Sequence, residues 1–325
     1  MNLSFASIAF YSALDSVRGQ ETTSLRGHNV EMALAPTMGA DEVKNRRMQE
    51  QDRADARIIG GSEAVEDRFS YAVSLQYLDK HNCGGSLIAR DVVLTAAHCV
   101  GGITSAVLGR HNLADGDGEV FSIRRQLPHP EYHATIPEND FMLVFLEGTT
   151  TADNFIPVKL NSDPLVPSVG QDMTVMGWGD TDSSGVQDDF FVMSDVLLSI
   201  DVGFLSDEEC GAIWGVEPSE ISDSMMCAKR PNGRGTCQGD SGGPLVIKGD
   251  DGAPDLQLGV VSFGSGLGCA TDVPDVYARI SHAYEWIQSE ICMGSVYASE
   301  AGFDCSSIST IDSVLDFISG LFDGK

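Results

Sequence analysis

Residues 237–245 read CQGDSGGPL, a stretch in which one serine, Ser241, is crowded by glycines and preceded by an aspartate. A serine hydroxyl is a weak nucleophile at neutral pH. It attacks a carbonyl only with a base within hydrogen-bond reach, a group that orients the base, and donors for the oxyanion that develops. In GDSGG the backbone N–H groups of Gly239 and Ser241 can converge on one point, because Gly239 lets the chain turn with no Cβ in the way. The bland reading of the same residues is a tight turn. A histidine is the natural base, and the chain has seven. His98 stands apart in LTAAHC, where an apolar strand runs into a small-residue turn. His28 falls in polar text, and His81, His111, His129, His133 and His282 in loop or helix text, so these read as surface or satisfied residues. The orienting acid is expected to be Asp140, which opens NDFMLVFLE; a carboxylate at the mouth of so apolar a strand is costly unless paired.

The elements that must position these three groups read as β-strands. Short apolar stretches recur from residue 58 onward, among them YAVSLQYL, GSLIA, DVVLTAA, DFMLVFLE, MTVMGWG, SDVLLSIDV, GPLVIKG and LQLGVVSFG, separated by Gly, Asp, Asn and Pro. Strands at this spacing point to a β-sandwich or to barrels. Helical periodicity comes late: SHAYEWIQSEIC places a Ser281 cap ahead of Tyr284, Ile287 and Ile291. A second stripe in the tail joins Ile308, Ile311, Val314, Leu315, Ile318, Leu321 and Phe322.

Bulk composition narrows the partners. The 325 residues carry 48 acids against 20 bases, a net charge of −28, which repels nucleic acid and anionic lipid. Eight cysteines, none in a C-x-x-C pair, suit disulfides and an oxidising compartment, not a zinc or thioredoxin-type site. No apolar run is long enough to span a bilayer. Residues 1–16 are mildly apolar without a basic n-region and read as a weak signal peptide. Residues 17–56 are polar, charged and without periodicity, and the text changes abruptly after Arg57.

LTAAHC, NDFMLV and GDSGGPL, in that order, resemble the His, Asp and Ser boxes of the chymotrypsin/trypsin family of serine endopeptidases. IIGG at 58–61, GWG at 177–179, VVSFG at 260–264 and YEWI at 284–287 add to a resemblance that covers about residues 58–292. It implies an all-β protein of two antiparallel six-stranded barrels with a C-terminal helix, hydrolysing peptide bonds through an acyl-enzyme. By that resemblance His98 is the general base and acid, Asp140 its orienting group, Ser241 the nucleophile, and Gly239 and Ser241 the oxyanion donors. It implies a secreted zymogen: propeptide 17–57 is cut between Arg57 and Ile58, and the new amino group pairs with Asp240. It implies disulfides Cys83–Cys99, Cys210–Cys227 and Cys237–Cys269, and leaves Cys292 and Cys305 to pair with each other. A tail of residues 293–325 follows, expected to dock on the catalytic domain, with self-association or partner binding as alternatives.

In the specificity pocket the chain departs from trypsin. The residue six before Ser241 is Gly235 where trypsin-like members carry Asp, and the opposite wall, VPDVYARI, carries Asp275. This resembles the brachyurin-type collagenolytic serine proteases of crustaceans, with the acid moved to the other wall. Gly264 leaves the entrance open, Phe263 replaces the family's usual Trp on the substrate-facing edge, and Ser262 matches the serine beneath the triad. The expected P1 preference is broad and includes Arg, Lys and large apolar residues. An outward-turned Asp275 would instead give chymotrypsin-like specificity, and a non-catalytic binding homologue is the remaining alternative. Arg110 stands where the family's calcium loop uses Glu, so no metal or other cofactor is expected. The partners expected are protein or peptide substrates and an activating protease, with neither nucleic acid nor membrane, and the chain is expected to act as a monomer.

Overall fold

The computed structural model describes residues 61–151, 155–181, 192–229, 235–250, 253–265, 269 and 271–306. Arg57, Ile58, the 17–57 segment and the apolar stripe beginning at Ile308 lie outside the described residues. In chain order the first strands are β1 (Ser62–Glu63), β2 (Ala72–Tyr77), β3 (Lys80–Ala89), β4 (Val92–Thr95), β5 (Ser105–Leu108), β6 (Glu119–Pro128) and β7 (Met142–Leu146). The second half holds β8 (Lys159–Leu160), β9 (Asp172–Gly177), β10 (Leu198–Leu205), helix α1 (Asp207–Trp214), β11 (Met225–Lys229), β12 (Pro244–Ile247), β13 (Leu256–Phe263), β14 (Asp275–Arg279) and helix α2 (Ile280–Gly294).

Two antiparallel barrels result. The first closes in the order β2-β3-β4-β7-β6-β5. The second closes as β9-β10-β11-β14-β13-β12, with β12 returning to β9; β1 adds to β10, and β8 pairs β13 in parallel. The strands show why. Every residue of β4 and β7 is buried, as their unbroken apolar text requires. In β10, buried and partly exposed positions alternate, the period of a strand with one face on a core. Val73, Leu75, Leu87, Leu94, Leu143 and Phe145 belong to a core that continues onto Ile280, Ile287 and Ile291 of α2. A separate cluster of Val175, Ile200, Leu245, Leu258 and Tyr277 fills the second barrel.

Two helix expectations are corrected. The chain enters α2 at Arg279, in extended conformation, so Ser281 is a residue of the helix and not its cap; its hydroxyl is buried with no hydrogen-bond partner among the described residues. The helix also runs past Cys292 to Gly294. Helix α1 has the stronger cap: Ser206 and Glu209 form a reciprocal capping box, and Gly215 ends the helix in the left-handed region.

Beyond α2 the chain folds back on the first barrel. Ser295 donates a hydrogen bond to Asp91, Arg90 pairs with Glu300 at 2.5 Å, and Arg124 donates to the Gly294 carbonyl at 3.1 Å. Ala298 and Phe303 are buried, and Cys305 is disulfide-bonded to Cys292.

Candidate active site

The pairing of β4 with β7 sets two of the three groups. Thr95 lies opposite Met142. The single turn Ala97–Cys99 that follows β4, and Asp140 just ahead of β7, therefore emerge at the same end of neighbouring strands. His98 Nδ1 is 2.7 Å from Asp140 Oδ2, and the His98 backbone N–H donates to Asp140 Oδ1 at 2.9 Å. Asp140 is fully buried. Its carboxylate can only accept, so the imidazole proton sits on Nδ1 and Nε2 presents a lone pair. Ser262 Oγ donates to the same Oδ2 at 2.6 Å. Ser262 sits where the β13–β14 register shifts between Val261 and Phe263, and such a bulge re-aims a side chain. Asn139 precedes Asp140 in the left-handed region, φ 53°, with its N–H donating to Ser224 Oγ at 3.2 Å. It is a support the sequence reading did not single out.

Ser241 arrives from the second barrel. Its carbonyl accepts from the Gly84 N–H at 2.8 Å and lies 3.9 Å from Cys99 Sγ, the residue after His98. The Cys83–Cys99 disulfide closes that turn. The serine loop is anchored around it: Gly242 N–H donates to Val261 O at 2.8 Å and Gly243 N–H to Asp240 O at 2.9 Å. The N–H groups of Gly239 and Ser241 donate to no acceptor among the described residues. Gly239 has φ +95°, a conformation that L side chains rarely adopt.

Asp240 is buried beneath this loop. Its Oδ1 accepts from Gly179 N–H at 2.8 Å and its Oδ2 from Cys237 N–H at 2.9 Å. Burial nonetheless pushes its pKa up to about 7 against those two bonds, with Asp275 and Asp180 adding repulsion.

His81 was expected to be bland and is not. It lies in β3, with Nδ1 2.9 Å from Ser74 Oγ, Nε2 2.9 Å from the Gly239 carbonyl, and its ring tilted against Trp178. A carbonyl only accepts, so Nε2 carries the proton. Burial holds the ring neutral, lowering its pKa to about 4. The signal available was its place in HNCGGSLI, two residues before Cys83.

At the pocket, Asp275 opens β14 and its Oδ2 accepts from Thr236 N–H at 2.8 Å. A Cβ placed on Gly235 would lie 2.4 Å from Oδ2, and one on Gly264 3.1 Å from Oδ1. The carboxylate thus lies between these two glycines, and burial raises its pKa to about 6. Phe263 is braced edge-on by Trp214 of α1, centroids 5.9 Å apart. Cys237 is disulfide-bonded to Cys269 and Cys210 to Cys227. Away from it, Arg110 donates to the Asp117 carbonyl at 2.9 Å, closing its own loop.

The trypsin family model matches residues 58–287, and the chain belongs to that family of serine endopeptidases, which act on proteins and peptides. Brachyurin of Leptuca pugilator is 34% identical over 238 residues, covering 72% of this chain and 98% of that protein. Trypsin epsilon of Drosophila erecta is 37% identical over 72% of this chain and 87% of its own length. Among solved structures, neuropsin, described as a serine protease expressed in the limbic system of mouse brain, superimposes with a TM-score of 0.62. It is 31% identical and covers 71% of this chain and 98% of its own.

Proposed function

We propose that Ser241, His98 and Asp140 carry out the peptide hydrolysis, by way of an acyl-enzyme. The observation that carries this reading is the buried Asp140 fixing His98 through two hydrogen bonds, with Ser262 holding the carboxylate from the other side. Ser241 Oγ attacks the scissile carbonyl while His98 Nε2 takes its proton. The N–H groups of Gly239 and Ser241 receive the oxyanion. His98 then returns the proton to the leaving amine, and water repeats the sequence on the ester.

The chain is made as a secreted zymogen: a weak signal peptide over 1–16, a propeptide over 17–57, a protease domain over 58–292 and a tail over 293–325. Cleavage of Arg57–Ile58, by a trypsin-like activator or by the enzyme itself, delivers the Ile58 amino group to Asp240. Asp240 supports this because its burial raises its pKa toward 7 despite two backbone donors, so a cation is the partner its site favours. Four disulfides support an oxidising, extracellular location. The enzyme acts as a monomer. Gly235, Phe263, Gly264 and Asp275 line the P1 pocket, which accepts Arg and Lys through Asp275 and large apolar side chains past it.

The test is labelling with an organophosphonate, which reacts only with a base-activated serine. Chain cleaved at Arg57 is expected to label at Ser241 and hydrolyse peptides, with uncleaved chain slower by about a hundredfold or more, as for a missing oxyanion donor. Equal labelling of cleaved and uncleaved chain refutes the activation step. Activity surviving in Ser241→Ala refutes the site.

A further inference from the structure

We propose that Met193 is a positioning residue for the oxyanion-binding peptide, and that oxidation of its thioether by a peroxide lowers turnover. This rests on the reading of Gly239 N–H as an oxyanion donor. A Cβ built on Gly239 would lie 2.7 Å from Met193 Sδ and 2.9 Å from its Cε, so the space beside the Gly239 Cα is filled by this thioether. This peptide and the one after it are both held at their carbonyls. The Gln238 carbonyl accepts from Asp180 N–H at 2.7 Å, and the Gly239 carbonyl lies 2.9 Å from His81 Nε2. Met193 is itself registered on this support: it bridges Asp180 in antiparallel fashion, and the next residue, Ser194, donates to the Trp178 carbonyl at 3.1 Å.

The physical need is specific to glycine. Gly239 has φ +95° and no side chain of its own to restrict rotation. A donor acts at full strength only when aimed in advance, and loss of one oxyanion donor costs about 10²–10³ in kcat. Met193 supplies from outside the packing that a side chain at 239 cannot.

Met193 is also partly exposed. It is half-buried, whereas Met142, Met173, Met176, Met225 and Met226 are buried; Met293 is exposed on α2. All eight cysteines are paired in four disulfides, so no thiol competes for oxidant. The sulfur lone pair takes one oxygen from a peroxide such as H2O2, the O–O bond breaks, and the other oxygen leaves as water. The sulfoxide is larger and polar, and a thiol-dependent reductase reverses it. In a slot this close to Gly239, it displaces the peptide.

The experiment uses the full chain after Arg57 cleavage, with Met193→Leu, Met193→Ala and Met293→Leu, before and after graded H2O2 and with sulfoxides mapped by mass spectrometry. Met193→Ala is expected to lower kcat about tenfold with KM within about twofold, a partial loss of the donor effect. It is expected to weaken a peptide aldehyde, which mimics the oxyanion, while leaving a product peptide's affinity unchanged. Met193→Leu restores both. Peroxide is expected to lower kcat of the wild type and of Met293→Leu in step with Met193 sulfoxide, while Met193→Leu resists. Met193→Leu losing activity in step with wild type, or Met193 sulfoxide forming with kcat intact, overturns the proposal. Failure of the underlying site reading is seen separately, as activity in Ser241→Ala.

Discussion

Replacing Asp275 by Asn removes the carboxylate that lies between Gly235 and Gly264 while keeping an acceptor for the Thr236 N–H. A P1 cation about 5 Å from that carboxylate at an effective dielectric of about 20 gains about 3 kcal/mol. Stripping water from the cation, and the bond that Thr236 already makes, leave about 2 kcal/mol, or about thirtyfold in kcat/KM. Asp275→Asn is therefore expected to lose about thirtyfold on Arg and Lys substrates and to change Phe and Leu substrates by less than about threefold. The pH dependence follows from the sign of the shift. Burial raises the Asp275 pKa to about 6, so the group is neutral below that value and charged above it. The ratio of kcat/KM for Arg to that for Leu is expected to rise about tenfold from pH 5 to 7.5, with a midpoint near 6. Taking the ratio cancels any pH dependence that the two substrates share. The assay is a matched pair of fluorogenic peptides differing only at P1, measured across that range for wild type and Asp275→Asn. A flat ratio in the wild type, or an unchanged ratio in the variant, would refute the reasoning.

Two further outcomes are expected. His81 is held neutral by burial, its pKa lowered to about 4. A base depressed in the folded state stabilises the fold above the unfolded value near 6.5, and the contribution is lost as pH falls toward 4, about 2 kcal/mol of it by pH 5. His81→Gln, which keeps a donor without titrating, is expected to flatten that part of the stability profile in urea unfolding; a profile as steep as wild type would show that other groups carry it. In the tail, removing the Cys292–Cys305 bridge opens a link of sequence separation 13. The double Ser variant is expected to lose about 3 kcal/mol in denaturant unfolding with kcat unchanged; an unchanged denaturation midpoint would show that the 295–306 segment docks without help from the bridge.

The parts legible in the sequence were those with a local steric or chemical signature. β4 and β7 are short apolar runs, and the two core strands pair where those runs are. Ser241 announces itself because glycines on both sides are needed for its backbone to turn. β6 escaped notice because EVFSIRRQLP is polar and half-exposed along its length. The Ser281 cap failed because Arg279 lies in β14 and runs straight into the helix, so the strand and not a capping side chain sets the start. His81 was missed because its partner, the Gly239 carbonyl, lies 158 residues away. Met193 has no sequence signature at all, since a methionine can fill any irregular gap.

The sequence by itself determined the residue types, their order and the strands that carry them, because those depend on neighbours a few residues apart. Only the tertiary structure decided which groups face one another: Asp140 against His98 and Ser262, Asp275 between Gly235 and Gly264, Met193 and His81 both against Gly239. It also decided their electrostatics, since the pKa of Asp240, Asp275 and His81 is set first by burial. Burial is a property of two closed barrels brought together, and no stretch of residues possesses it alone.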